Sequence, residues 1–273
     1  MRILIATSGS SHSDVALRFG AQIAHPACDP PTVLTVIKKE TDRPRTAAIL
    51  DHAFELLEAR TPDVRTKVRI GHVVEEITRE AEEGEYDLLV VGYKPPGNFV
   101  ERLLSRSVVL QVVELAPCPV LIAKGRFNPV HRILLCDSGA KSPSLITQFA
   151  TQLAKQIEGE EQITILHVMS QISAGPGVVG KQLRAEAEDL IQEDTPEGKL
   201  LKQDVRILNQ SNISTIPKVR HGLVVDEILE EARIGDYDLV IIGAHRGDTW
   251  HRILLDNLAN QIIDKMDRPV LVV

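Results

Sequence analysis

A chain of 273 residues, 43% hydrophobic and 25% charged, is long enough for two cores of about 130 residues each. Its net charge of −7 opposes bulk binding to nucleic acid or to an anionic membrane, and no stretch approaches the ~20 apolar residues of a membrane span. Three scattered cysteines (Cys28, Cys118 and Cys136) exclude a disulfide framework or a cysteine-rich metal site. They suit a reducing compartment, and with no signal-peptide pattern after Met1 a cytoplasmic location is expected.

The chain opens with the apolar run Ile3-Leu4-Ile5-Ala6, stopping at Thr7-Ser8-Gly9-Ser10-Ser11. A continuous apolar run ending in Ser and Gly reads as a buried parallel strand feeding a helix. Helical spacing follows over Asp14 to Ala24, then a strand over Val33 to Ile37, then a helix with Ile49, Ala53, Leu56 and Leu57 on one face. A third strand is expected near Lys67 to Ile70, and a helix from Val73 with Val73, Ile77 and Ala81 inward. Leu88 to Val91 reads as the fourth strand, Ser107 to Leu115 as a helix, and Pro119 to Ala123 as the fifth strand. After Lys124 to His131, which reads as a short linker, the order begins again at Arg132. Strands are expected over Arg132 to Cys136, Ile163 to Val168, Ile216 to Arg220, Leu239 to Ile242 and Pro269 to Val273. The helices between them cover Leu145 to Ile157, a longer segment broken near Pro196, a run from Val224, and Leu258 to Lys265.

The recurrence is a true repeat. Val68 to Gly92 and Val219 to Gly243 share fourteen of 25 positions at a constant offset of 151. The expected architecture is therefore α/β, with two tandem five-stranded parallel-sheet domains spanning residues 1–124 and 131–273. A linker this short implies that the domains pack as a fixed pair.

In open parallel sheets ligands bind beyond the carboxyl ends of the strands, where strand order reverses. With strand one central, the loops after strands one and four frame that crevice. In the first copy they are Thr7 to Ser11 and Gly92 to Ser107; in the second, Asp137 to Ser142 and Gly243 to Asn257.

These segments resemble the universal stress protein family over essentially the whole chain, twice. The residues that carry the resemblance are RILIATSGSSHSDVALRFG, YDLLVVG and YDLVIIG, RLLSRSVVLQVVELAPCPVLIA, and the terminal RPVLVV. The resemblance implies a Rossmann-like domain of the adenine nucleotide α-hydrolase-like type, binding of ATP or AMP, and dimerisation through strand five. In a tandem chain the two fifth strands would meet as an internal pseudo-dimer, with a homodimer of chains still open.

Nucleotide-binding members look like G-x-x-G-x9-G-[ST] after strand four, with an Asp ending strand one; the glycines and hydroxyl hold phosphate on backbone N–H groups. Here Gly92 and Ser107 match, but Pro95 and Arg106 replace the second and third glycines, Gly97 comes two residues late, and Ser8 stands at the acid position. In the second copy Gly243 matches, Arg246 replaces the second glycine, and the Gly-Ser pair becomes Asp256-Asn257. Ser138 aligns with Ser8, and Asp137 beside it could serve with a one-residue shift. A carboxylate at a helix N-terminus repels phosphate, whereas Arg106, with Lys94 nearby, could grip one or block the site.

The expected cofactor-binding set is thus Thr7, Ser8, Gly9, Ser10, Gly92, Lys94, Gly97, Arg106 and Ser107. ATP or AMP remains open as a ligand of the first copy, and the site of the second is expected to be lost. The function expected is a non-enzymatic stress-response or regulatory protein; the alternative is a nucleotide-binding protein with slow hydrolase activity. No catalytic or metal residue is expected, and neither nucleic acid nor membrane as a partner.

Three other motifs read more simply as structure. Gly175 to Lys181 imitates a phosphate loop but lacks the strand before it and the Ser or Thr after it. His221, His245, Asp248 and His251 match no metal-ligand spacing. Ser8, His12 and Asp14 crowd into a single turn, where capping by Ser10 or Ser11 is expected instead of a hydrolytic triad. Cys118 reads as a buried small residue, and the acidic run Glu80 to Glu85 as a solvated helix end.

Overall fold

The computed structural model describes residues 1–24, 29–58, 61, 63–94, 107–137, 144–157, 161–169, 186–243 and 252–273, the side chains of 252–257 excepted. The chain forms two compact units. One comprises Met1–Pro129 with Asp267–Val272, the other Val130–Met266 with Val273.

In the first unit the strands are β1 (Ile3–Thr7), β2 (Thr32–Ile37), β3 (Arg65–Ile70), β4 (Leu88–Gly92), β5 (Val120–Ala123) and β10 (Val270–Val272). They lie in the order β3-β2-β1-β4-β5-β10. The first five are parallel, with Leu4 beside Thr32 and Leu89, so the expected central place of strand one is observed. The sixth is antiparallel: Leu271 of β10 pairs with Leu121 of β5. Thus the two fifth strands of the repeat do meet, and the last strand of the second copy completes the sheet of the first unit.

The apolar runs account for the core. Leu4, Ile5, Val33, Leu34, Leu88, Leu89 and Val90 are wholly buried, each contributing on the order of 2 kcal/mol. Helix α1 (Ser11–Ile23) begins three residues before the apolar spacing suggested, because Ser10 caps it. Helix α2 (Pro44–Leu57) buries Ala53 and Leu57 as expected. Helix α3 (Val73–Glu83) turns Val74, Ile77 and Ala81 inward, with Val73 only half-buried at its first position. Helix α4 (Val108–Leu115) follows Ser107. Phe127, in the linker, sets its ring edge-on against Phe19 of α1 at 4.9 Å.

The second unit holds β6 (Arg132–Cys136), β7 (Gln162–Met169), β8 (Ser214–His221) and β9 (Leu239–Ile242), all parallel, in the order β9-β6-β7-β8. Pro217 lies in β8, at the end of that series, where a strand tolerates the missing N–H. Helix α5 (Leu145–Ala154) starts at the cap Ser144. The expected break at Pro196 is a new helix start: α6 (Ala187–Gln192) ends, and α7 (Pro196–Asn209) begins with Thr195 accepting the Gly198 N–H. Helices α8 (Val224–Ile234) and α9 (Arg252–Lys265) complete the unit.

Candidate functional site

The crevice of the first unit is built at the carboxyl ends of β1 and β4. Thr7 and Ser13 are buried, while Ser8, Gly9 and Ser10 are exposed. The hydroxyls bond chiefly to one another. Thr7 Oγ1 donates to Ser13 Oγ at 3.2 Å, and Ser8 Oγ donates to Ser10 Oγ at 3.0 Å. Ser13 Oγ donates to the Ser10 carbonyl at 2.8 Å and accepts the Ser10 N–H at 3.0 Å, while Ser10 Oγ caps the Ser13 N–H. Gly9 sits at φ +71 with its N–H on Thr7 Oγ1, and a Cβ there would stand 2.9 Å from Ile49 Cγ1. A side chain at this position would thus be strained and crowded at once. Asp14 pairs with His52 of α2 at 3.2 Å, so the apparent Ser8-His12-Asp14 trio is not assembled as a relay.

Gly92 packs closely at the end of β4. A Cβ on it would lie 2.3 Å from the His12 carbonyl oxygen and 2.9 Å from Ser13 Cα, so β4 touches the first turn of α1 through this glycine. Beyond it, Tyr93 is buried beneath Lys124, whose Nζ lies 3.8 Å from the ring centroid. Lys94 is exposed. Ser107 occupies the N-cap of α4 without a side-chain capping bond, unlike Ser10. Gly97 and Arg106 lie outside the described residues, as do Pro95, Ser138, Arg246, His245, Asp248, His251 and the Gly175 to Lys181 motif; so do the side chains of Asp256 and Asn257.

In the second unit the carboxyl end of β6 carries Asp137, and sequence reasoning missed what it meets. Asp204 of α7 is 4% exposed and accepts the Thr147 hydroxyl at 2.9 Å. Burial first, then the Asp137 charge, pushes Asp204 up to about 7. His167 Nδ1 lies 3.2 Å from the Asp137 carbonyl oxygen. An acid at position 204 in an otherwise amphipathic helix gives no signal of its own. Only its coincidence with the buried face of α7 could have marked it.

A second set of buried charges occurs in both units. Glu80 is 1% exposed, accepting Lys67 Nζ at 2.5 Å, Arg69 Nε at 2.7 Å and the Tyr86 hydroxyl at 3.1 Å. Glu231, equally buried, takes Lys218 at 2.8 Å, Arg220 at 3.0 Å and Tyr237 at 2.8 Å. The reading of Glu80 as part of a solvated helix end is therefore wrong: cations on the facing strand draw it inward. Burial alone would raise both carboxyls, but these bonds outweigh it and hold them below the ordinary range. Cys118 is buried as expected, and burial pushes the Cys136 thiol far up, leaving it unreactive. Among the described residues no cluster of three His, Cys, Asp or Glu side chains suits a metal ion, and no helix is long and apolar enough to cross a membrane.

A parallel sheet of this order, with a Ser/Gly turn closing its central strand, defines a Rossmann-like class whose crevice lies at the strands' carboxyl ends. The sequence model of the universal stress protein family matches residues 1–124 and again 129–273. The chain belongs to that family, in tandem form. Among solved structures it is similar to a universal stress protein from Archaeoglobus fulgidus DSM 4304, with 17% identity, a TM-score of 0.71, and 99% of this chain and 95% of that one covered. It is likewise similar to a functionally unknown protein from Pseudomonas aeruginosa PAO1, with 17% identity, a TM-score of 0.62, and 100% and 92% covered. At these identities the likeness is one of fold. A universal stress protein solved in complex with cAMP is 28% identical over 45% of this chain and 94% of its own, with a TM-score of 0.40, too low to bear on ligands here. Among curated proteins, none matches the sequence significantly.

Proposed function

We propose that this chain is a non-enzymatic stress-response protein of the cytoplasm that works by conformation and association. Its first copy, residues 1–124, keeps at most a degenerate nucleotide site, and its second, residues 131–273, has lost its own. The observation that carries this reading is the internal use of the groups that should face a ligand. Thr7, Ser8, Ser10 and Ser13 bond to one another, and the charge of Asp137, the acid at the end of the second copy's first strand, bears on the buried Asp204. A carboxyl pair at the second crevice would oppose a phosphate by charge. In the first crevice no carboxylate stands at position 8 to hold a magnesium ion, which argues against hydrolysis.

What favours residual binding in the first copy is Ser107, uncommitted to a capping bond at the start of α4. With Lys94, Gly97 and Arg106 from the same loop, and Thr7 to Ser10 opposite, it forms the set we assign to nucleotide phosphate. Titration calorimetry of the full chain with ATP, ADP and AMP, with and without magnesium, tests the assignment. Binding at one site per chain that Arg106→Ala abolishes supports it. Two sites per chain, or steady release of phosphate from ATP, would overturn it in favour of a duplicated site or a slow hydrolase.

A further inference from the structure

We propose that the outer edge of β3 is an interface between two copies of this chain, paired antiparallel about a two-fold axis at Val68. Each unit has a strand that ends the series with one side unpaired, β3 in the first and β8 in the second. The edge of β5 is already taken, because β10 covers it within the chain. The Arg65 N–H donates to the Pro31 carbonyl and the Gly71 N–H to the Ile37 carbonyl, both at 2.9 Å. The odd-numbered residues of β3 thus turn their backbone groups to β2. Strand alternation then turns the N–H and C=O groups of Thr66, Val68 and Ile70 outward, where no described strand meets them. Thr66 and Ile70 are exposed and Val68 is half-buried. In the second unit the Gly222 N–H donates to the Met169 carbonyl at 3.2 Å, so the same alternation turns Pro217 outward from β8. Pro217 stands 151 positions after Thr66 and has no N–H to give. The second edge is blunted at the position where the first is open.

An open strand edge is a template for another strand, and β3 fits itself. With Val68 opposite Val68, Thr66 of one copy faces Ile70 of the other, and each facing pair exchanges both N–H···O bonds. The side chains of these residues share one face of the sheet, so β-branched groups meet across the junction. On the other face Lys67 of one copy stands opposite Arg69 of the other, which would repel if either were bare. Neither is. Lys67 is bonded to Glu80, and Arg69 to Glu76, Glu80 and Glu83, all within its own chain. Arg65 lies 3.7 Å from Asp29. Charge balanced inside each copy favours a second copy as the occupant over a strongly acidic strand. Because Pro217 blunts the equivalent edge, a two-fold pairing at β3 closes as a dimer instead of growing into a filament.

Sedimentation equilibrium of the full chain over a wide range of concentration tests this. With rising concentration the wild type should approach twice its 30.1 kDa, while Thr66→Pro, which gives the first copy the residue of the second, should stay near 30.1 kDa. The Thr66 N–H points away from β2, so the proline removes no bond from the sheet itself. Should Thr66→Pro not fold, two charge variants keep the test. Thr66→Glu/Ile70→Glu sets acid against acid across the junction, and Thr66→Lys/Ile70→Lys sets base against base. Each should be monomeric alone, and an equal mixture of the two should recover the doubled mass. A wild type that stays at 30.1 kDa throughout would overturn the pairing and leave the edge to an extended segment of another protein. A dimer that survives Thr66→Pro, or charge variants that dimerise as well alone as together, would place the contact elsewhere. Masses that climb past the dimer would overturn the closed pair.

Discussion

Glu80 and Glu231, 151 positions apart, are one carboxylate built twice: each is 1% exposed, and each accepts a lysine, an arginine and a tyrosine from matching places. The flanking acids are not so constrained. Glu82, Glu83 and Glu85 become Arg233, Ile234 and Asp236 in the second copy. Removing one partner of a buried charge network costs about 3–5 kcal/mol. Lys67 and Lys218 are about half exposed and recover hydration, which places the loss at the low end. Glu80→Gln and Glu231→Gln should each lower stability by about 3 kcal/mol in denaturant unfolding. With no shared partners the losses should add. A combined loss equal to either single one would show that the two networks are coupled.

The same carboxylates set the acid limb of the stability curve. Their folded-state values lie below the ordinary one, so their contribution is fully present above about pH 4.5 and is lost as pH falls through the depressed values. Melting temperature should drop steeply below that point in the wild type and more gently in the double variant Glu80→Gln/Glu231→Gln. Parallel acid limbs in the two proteins would contradict the assignment.

Gly92 and Gly243 end matching strands but meet different surroundings. A methyl on Gly92 would press the backbone of α1 at 2.3 Å, whereas among the described residues the nearest neighbour of a Cβ on Gly243 is Ile146 Cδ1 at 3.9 Å. Backbone cannot yield as a flexible side chain does, and overpacking of this kind costs about 1–3 kcal/mol. Gly92→Ala should therefore lose that much stability while Gly243→Ala changes it by less than about 0.5 kcal/mol, both read from chemical unfolding. Equal effects would mean that the glycines serve one common role.

The fold was legible because its signals are local. Apolar runs such as Ile3 to Ala6 and Leu88 to Val91 bury whole strands, and the 151-residue repeat shows that the pattern is used twice. The buried charges were not legible, since Glu80 is drawn in by Lys67 and Arg69 on a strand 11 to 13 residues earlier, and isolated acids on a polar helix look solvated. The repeat held the missing clue: Lys67, Arg69, Glu80 and Tyr86 all recur as Lys218, Arg220, Glu231 and Tyr237. At the crevice the sequence identified the Thr7 to Ser10 turn, yet a hydroxyl's partner depends on rotamer and geometry. Spacing alone cannot tell a serine facing a ligand from one bonded to its neighbour. Asp204 has no such clue, because the helix carrying it diverges between copies.

Strand β10 comes from the second copy but belongs to the first compact unit. Val270, Leu271 and Val272 are buried and pair with Ile122, Leu121 and Val120, so they cover an edge of β5 that would otherwise present open N–H and C=O groups. Deleting Val270 to Val273 removes three buried side chains, each worth on the order of 2 kcal/mol, and exposes the facing side of β5 as well. The loss should exceed about 4 kcal/mol. It should fall on the first unit, although the deleted residues come from the second copy, because β10 is part of that compact unit. Hydrogen exchange separates the two outcomes: amides of β4 and β5 should lose protection in the truncated chain. The milder Leu271→Asp, which keeps the backbone pairing but puts a charge where leucine is fully buried, should do the same if the deletion does not fold. Unchanged soluble yield, melting behaviour and β5 protection in the deletion would show that the first unit is complete without its borrowed strand.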